Sequence, residues 1–116
     1  METFHQELKA FFKNLIKVFP EDRELKLLSS SLNVALMDDP ENMVMRGFYR
    51  TMSPFEGYID TRNPQFFYEY SSTDVPLLNK LSSYWETLNE ENRKVVWDYL
   101  QVLFLLSKKF CLVQKC

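Results

Sequence analysis

A chain of 116 residues, 46% apolar and 26% charged, is long enough to close one hydrophobic core without staples and too short for two. Its formal net charge of −2, from 14 basic and 16 acidic residues, lacks the basic excess of a duplex-binding domain. Two glycines against ten Phe and six Tyr, with no sustained alternation of Val, Ile and Thr, argue against a sheet with tight hairpins.

Helices are expected instead. Phe4, Leu8, Phe11, Phe12, Leu15, Ile16 and Phe19 recur at the spacing of one helical face, which predicts a first helix over 3–18. Thr3 with Gln6 has capping-box spacing, and Pro20 stops the run. Asp22 is the expected N-cap of a second helix with a core stripe of Leu25, Leu28, Leu32, Ala35 and Leu36. Asp38-Asp39-Pro40 closes that helix and opens a third over 41–52, Asp39 capping it and Pro40 in its first turn. Val44, Phe48 and Met52 face inward there, and Gly47 marks a place for close approach of another backbone.

Ser53-Pro54 and Asn63-Pro64 are cap-plus-proline starts for two short helices, 54–59 and 64–70. Ser71 to Asp74 reads as a loop that ends in an N-cap. Pro76 then sits in the first turn of a helix carrying Leu77, Leu78, Leu81, Tyr84, Trp85 and Leu88. Asn89 caps the last helix, with Glu90 and Glu91 at the positive end of its dipole. Over 92–113, an apolar arc of roughly 220° holds Val95, Val96, Trp97, Tyr99, Leu100, Val102, Leu103, Phe104, Leu106, Phe110 and Cys111. An arc that wide calls for several covering neighbours. The expected architecture is all-α: one domain over 1–116, a bundle of four longer and two short helices around a central C-terminal helix.

Sites for chemistry are scarce. The only histidine, His5, reads as an exposed residue of the first helix, and no second His stands by to complete a triad. Zinc usually needs four Cys or His ligands, or three plus an open position, and the chain offers three in total, His5, Cys111 and Cys116; no metal is expected. The acidic pairs Glu21/Asp22, Asp38/Asp39 and Glu90/Glu91 all fall at predicted helix starts, where capping accounts for them. With no Gly-rich phosphate loop, neither an enzyme nor a cofactor is expected. Cys111 and Cys116, five apart, would diverge on a common helix and are read as reduced thiols. METFHQELKAFF lacks a signal-peptide core, and the run from Val102 to Leu106 is too short to span a membrane. The expectation is a soluble, cytoplasmic chain that is not secreted.

Two binding surfaces remain. Leu105 and Leu112 lie seven apart in the polar arc of the last helix among Gln101, Lys108 and Lys109, a patch suited to a protein partner or to self-association. Tyr68 and Tyr70 are candidate additions, and the competing reading is coverage by the chain's own first helix. The alternative function is single-stranded nucleic-acid binding through residues 46–70, where Arg46, Arg50 and Arg62 interleave with eight aromatics. Tyr49 and Tyr58 are the stacking candidates among them.

The last helix also carries a resemblance. Tyr84-Trp85, an acidic turn and then VVWDYLQVLFLLS resembles a C-terminal signature, Ile-Trp-x-Tyr-Leu-x-x-Leu, of small helical proteins of nucleocytoplasmic large DNA viruses. Tyr58-Ile59-Asp60 followed by Phe66-Phe67 is similar to a second stretch of the same proteins. Together these cover roughly half of the chain. The function of those proteins is unassigned, so the resemblance implies a viral origin and a role in the particle or the infected-cell cytoplasm, with no active site.

Overall fold

A computed structural model of the chain describes residues 2–69 and 76–115. Among these residues there are seven α-helices, two 3₁₀ turns and no strand. The helices are α1 (Glu2–Val18), α2 (Arg23–Met37), α3 (Met43–Met52), α4 (Glu56–Asp60), α5 (Gln65–Glu69), α6 (Pro76–Tyr84) and α7 (Glu90–Gln114). The 3₁₀ turns, Ser53–Phe55 and Trp85–Thr87, precede α4 and follow α6. Tyr70, Cys116 and the loop expected at Ser71 to Asp74 lie outside the described residues. A radius of gyration of 13.6 Å is that of one compact body, since a domain of this length closes to about 13 Å.

Capping places most of the boundaries. Asp22 accepts a hydrogen bond from the Leu25 amide at 2.9 Å and Asn89 one from the Asn92 amide at 2.8 Å, starting α2 and α7 as predicted. Helix α3 starts later than its predicted first residue, Glu41. Asn42 takes a left-handed backbone (φ 54°), and the Asp39 carboxylate reaches past it to the amides of Met43 at 2.8 Å and Val44 at 3.3 Å. Pro40 therefore belongs to the turn. Thr3 lies inside α1, which already includes Glu2, so the expected capping box is not used.

Helix α7 is the hub, packed chiefly against α1 and α3 with α4 beside them. Leu100 and Leu103 are fully buried, as are Phe4 and Phe11 of α1 and Met52 of α3, and all five belong to one core cluster. Rings join the elements: Phe11 stacks on Tyr99 at 4.9 Å and Tyr49 on Phe104 at 5.8 Å. Phe67 of α5 packs on Trp85 at 4.1 Å and Trp97 at 5.2 Å. Such pairs add about 0.5–1.5 kcal/mol each beyond buried area, and they anchor the short helices, whose backbone alone is too brief to be stable.

The corner between α1 and α2 is clamped to α6. The Asp22 carboxylate, largely buried, accepts from Lys80 Nζ at 3.0 Å and from the Tyr84 hydroxyl, while Phe19 stacks on Tyr84 at 3.9 Å. Hydrogen bonds from Tyr84, the Leu25 amide and Lys80 lower the Asp22 pKa to about 2. The same contacts push the Lys80 ammonium and the Tyr84 hydroxyl upward.

Two expectations fail at the ends of the chain. Cys111 is buried and disulfide-bonded, not a reduced thiol. The expectation assumed one helix through both cysteines, whereas α7 ends at Gln114 and Lys115 turns left-handed (φ 57°). His5 is half-buried, and its Nε2 is enclosed without a hydrogen-bond partner among the described residues.

Candidate interaction surface

The buried arc of α7 is narrower than its sequence suggests. Val96, Trp97, Leu100, Leu103, Phe104, Ser107 and Cys111 are buried; Val95, Tyr99, Leu106 and Phe110 are half-buried; Val102 is exposed. The covering helices α1 and α3 both sit on one side, so the far side of α7 keeps its apolar groups in solvent. Val102, Leu105, Leu112 and Val113 are 41%, 51%, 68% and 76% exposed. They share an arc of about 100° and run along about 16 Å of the helix. Leu105 and Leu112 are thus solvent-facing, and α1 does not cover them.

Polar groups frame this line. Lys108 pairs with Glu56 of α4, which pushes its ammonium pKa upward, and Lys109 is exposed without an ion pair among the described residues. Beside Leu105 lies a notch of about 380 Å³, bounded by Glu56, Asp60, Gln101 and Lys108 over Ile59 and Phe104. Gln101 donates to the Ile59 carbonyl at 3.0 Å, fastening α4 to α7 under the notch. Tyr68 is exposed as expected, and its hydroxyl, tied to Glu86, has a raised pKa. Its neighbour Phe67 packs on Trp97, near the N-terminal half of α7, whereas the apolar line occupies the C-terminal half. Tyr70 lies outside the described residues.

The residues of the nucleic-acid alternative are spread out and largely engaged. Arg62, left-handed at φ 54°, donates to Asp98 at 2.6 Å and to Gln101 at 2.7 Å. Arg46 lies over the Phe110 ring at 5.1 Å and donates to the Glu41 carbonyl at 2.7 Å. Asp98 and Phe110 are twelve residues apart, so the two arginines sit about 18 Å apart along α7. Tyr49 is stacked on Phe104, and a hydrogen bond to Glu69 raises the pKa of Tyr58. Arg50 is exposed.

Two features escaped the sequence reading. One is a notch of about 340 Å³ where Arg62, Arg93 and Lys94 meet Trp85 and Trp97, with Glu90 at its edge. Arg93 lies over the Trp85 ring at 5.1 Å and pairs with Glu90 at 3.3 Å; that i, i+3 pair was its only sequence signal. The other is an apolar groove of about 400 Å³ between α2 and α3, floored by Leu8 and Phe12 of α1 and closed by Leu77 and Leu78 of α6. Leu28, Leu32 and Ala35, expected in the core, form its α2 wall: the leucines are half-buried and Ala35 is exposed. Gly47 lines the opposite wall, and among the described residues a Cβ there would meet nothing within 4 Å. No backbone of those residues approaches it, contrary to the expectation.

Among the described residues no three His, Cys, Asp or Glu side chains lie close enough to hold a metal ion. No helix among them is long and apolar enough to cross a membrane. Comparison with protein-family profiles, with curated proteins and with solved structures gives no match.

Proposed function

We propose that this chain is a non-catalytic protein-interaction protein that works in assembly, presenting the outward line of α7 to another polypeptide. The observation that carries the proposal is the alignment of Val102, Leu105, Leu112 and Val113 on one exposed stripe. Single exposed apolar residues are ordinary on a protein surface; here four share one face of one helix, with Lys109 between the Val102–Leu105 pair and the Leu112–Val113 pair. Full burial of a large apolar side chain stabilises by about 1.5–3 kcal/mol. With half or more of their surface still wet, Leu105, Leu112 and Val113 each hold about 1 kcal/mol or more for a partner to release. Lys108, Glu56 and Gln101 supply a polar rim on one side of such an interface, and Lys109 lies within the stripe itself. The mode is that of a helix face laid into an apolar groove of its partner.

The resemblance to small helical proteins of nucleocytoplasmic large DNA viruses supports a setting in the virion or in the cytoplasm of the infected cell. The second reading, a single-strand nucleic-acid binder, draws on the notch where Arg62, Arg93 and Lys94 meet two tryptophans. Asp98, Glu86 and Glu90 already pair with its two arginines, which ranks that reading behind the first.

The test is the double variant Leu105→Lys, Leu112→Lys, compared with the wild type for the complexes each forms in cells that express the chain naturally. Loss of at least one complex, with unchanged circular dichroism, is the expected outcome. A variant that keeps every wild-type complex refutes the proposal.

A further inference from the structure

Helix α2 carries a second outward face, and its pattern is palindromic. Leu27 and Val34 are 67% and 69% exposed, on the side of α2 opposite the buried Leu25 and Leu36. Arg23, Ser30 and Ser31, all exposed, share with them an arc of about 100°, and the exposed Asp38 follows the last helical residue, Met37. Measured from the midpoint between Ser30 and Ser31, Leu27 and Val34 lie about 5 Å away on either side along the axis. Arg23 and Asp38 lie about 11 Å away on either side. Neither Arg23 nor Asp38 has an ion pair among the described residues, although Asp22 and Glu24, on either side of Arg23, are paired with Lys80.

From this face we infer that a second copy of the chain docks on α2, antiparallel, about a two-fold axis that passes between Ser30 and Ser31. That axis brings each Leu27 level with the second copy's Val34 and each Arg23 level with the second copy's Asp38. A parallel pairing would set Arg23 on Arg23 and Asp38 on Asp38, like on like, so charge selects the antiparallel arrangement. Opposed helix dipoles favour it as well. Ser30 and Ser31 at the crossing are small, and let the two axes approach to about 8 Å, the near end of helix-packing distances. The interface is isologous, so it closes at two copies. One helix pair buries less than the roughly 1,200 Å² at the low end of stable interfaces, which makes the dimer weak and concentration-dependent.

The face is separate from the α7 line, and charge exchange tests it without threatening the fold. Arg23→Asp puts an acid in the first turn of α2 and Asp38→Arg puts a base just after its last turn; both suit the helix dipole. Sedimentation equilibrium of the full chain from micromolar to millimolar concentration is the readout. The wild type is expected to dimerise reversibly, and Arg23→Asp to weaken the dimer about tenfold or more, two repulsive contacts replacing two attractive ones. The double variant Arg23→Asp, Asp38→Arg restores it, and an equimolar mixture of the two single variants forms a mixed dimer. Leu105→Lys leaves dimerisation unchanged, which keeps this result apart from that of the α7 proposal. A wild type that stays monomeric overturns the inference. So does a dimer indifferent to Arg23→Asp, one that the double variant does not restore, or one lost on Leu105→Lys.

Discussion

Two leucines five residues apart on α7 should respond to substitution on different scales. Leu100 has no solvent-accessible surface and Leu105 is half exposed. Truncating a fully buried leucine to alanine removes its transfer free energy and leaves a cavity, about 2–5 kcal/mol together. For Leu105→Lys only the buried half of the side chain is at stake, at most about 1 kcal/mol, and the lysine stem can cover part of the same surface. Helix propensity is nearly equal for leucine and lysine, so it does not enter. Unfolding entropy near 2.1 cal/mol/K per residue converts 1 kcal/mol into about 4 °C for a chain of this length. Leu100→Ala should therefore lower Tm by about 8–20 °C and Leu105→Lys by less than about 4 °C. Thermal unfolding followed by circular dichroism, at a concentration where the chain is monomeric, measures both. Equal losses would refute the reasoning, because they would mean that Leu105 is covered by its own fold.

Other expectations follow from particular contacts. The Asp22 pKa is held at about 2, below its unfolded value of about 3.8, so the carboxylate contributes stability that is full above pH 4 and fades as pH falls towards 2. Tm of the wild type should fall more steeply than that of Asp22→Asn across this window; parallel pH profiles would contradict it. Gly47→Ala should stabilise by up to about 1 kcal/mol, since a glycine in the interior of α3 costs about that much and the added methyl meets only open space. A drop in Tm would show that the site is occupied after all. Oligonucleotides should show no binding that weakens steeply from low to physiological salt, because Arg62 is already held by Asp98 and Gln101; a steep slope in a filter-binding or anisotropy titration would revive the nucleic-acid reading.

Periodicity and capping made the helices legible. Asp22, Asn89 and the prolines at 20, 54, 64 and 76 mark boundaries by local chemistry, which the sequence displays directly. Where backbone conformation decided, local chemistry misled: left-handed Asn42 postpones α3 beyond its expected start at Glu41. Side-chain burial was legible only in part. A helical wheel ranks residues by face and cannot say how many neighbours arrive. Leu28, Leu32 and Ala35 therefore read as core yet line an open groove, and Val102 read as core yet faces solvent. Leu105 and Leu112 were identified because their neighbours on the wheel are polar. The notch at Trp85 and Trp97 was not, because it joins residues that only the tertiary fold brings together.

The central claim is that the exposed line of α7 meets another protein, and site-specific photo-crosslinking tests it most directly. A photoreactive residue placed at position 105 or 112, in cells that express the chain naturally, should yield a discrete adduct with one polypeptide. The same probe at Lys13, exposed on α1, should not. No adduct from either α7 position, or the same adducts from position 13, would contradict the account.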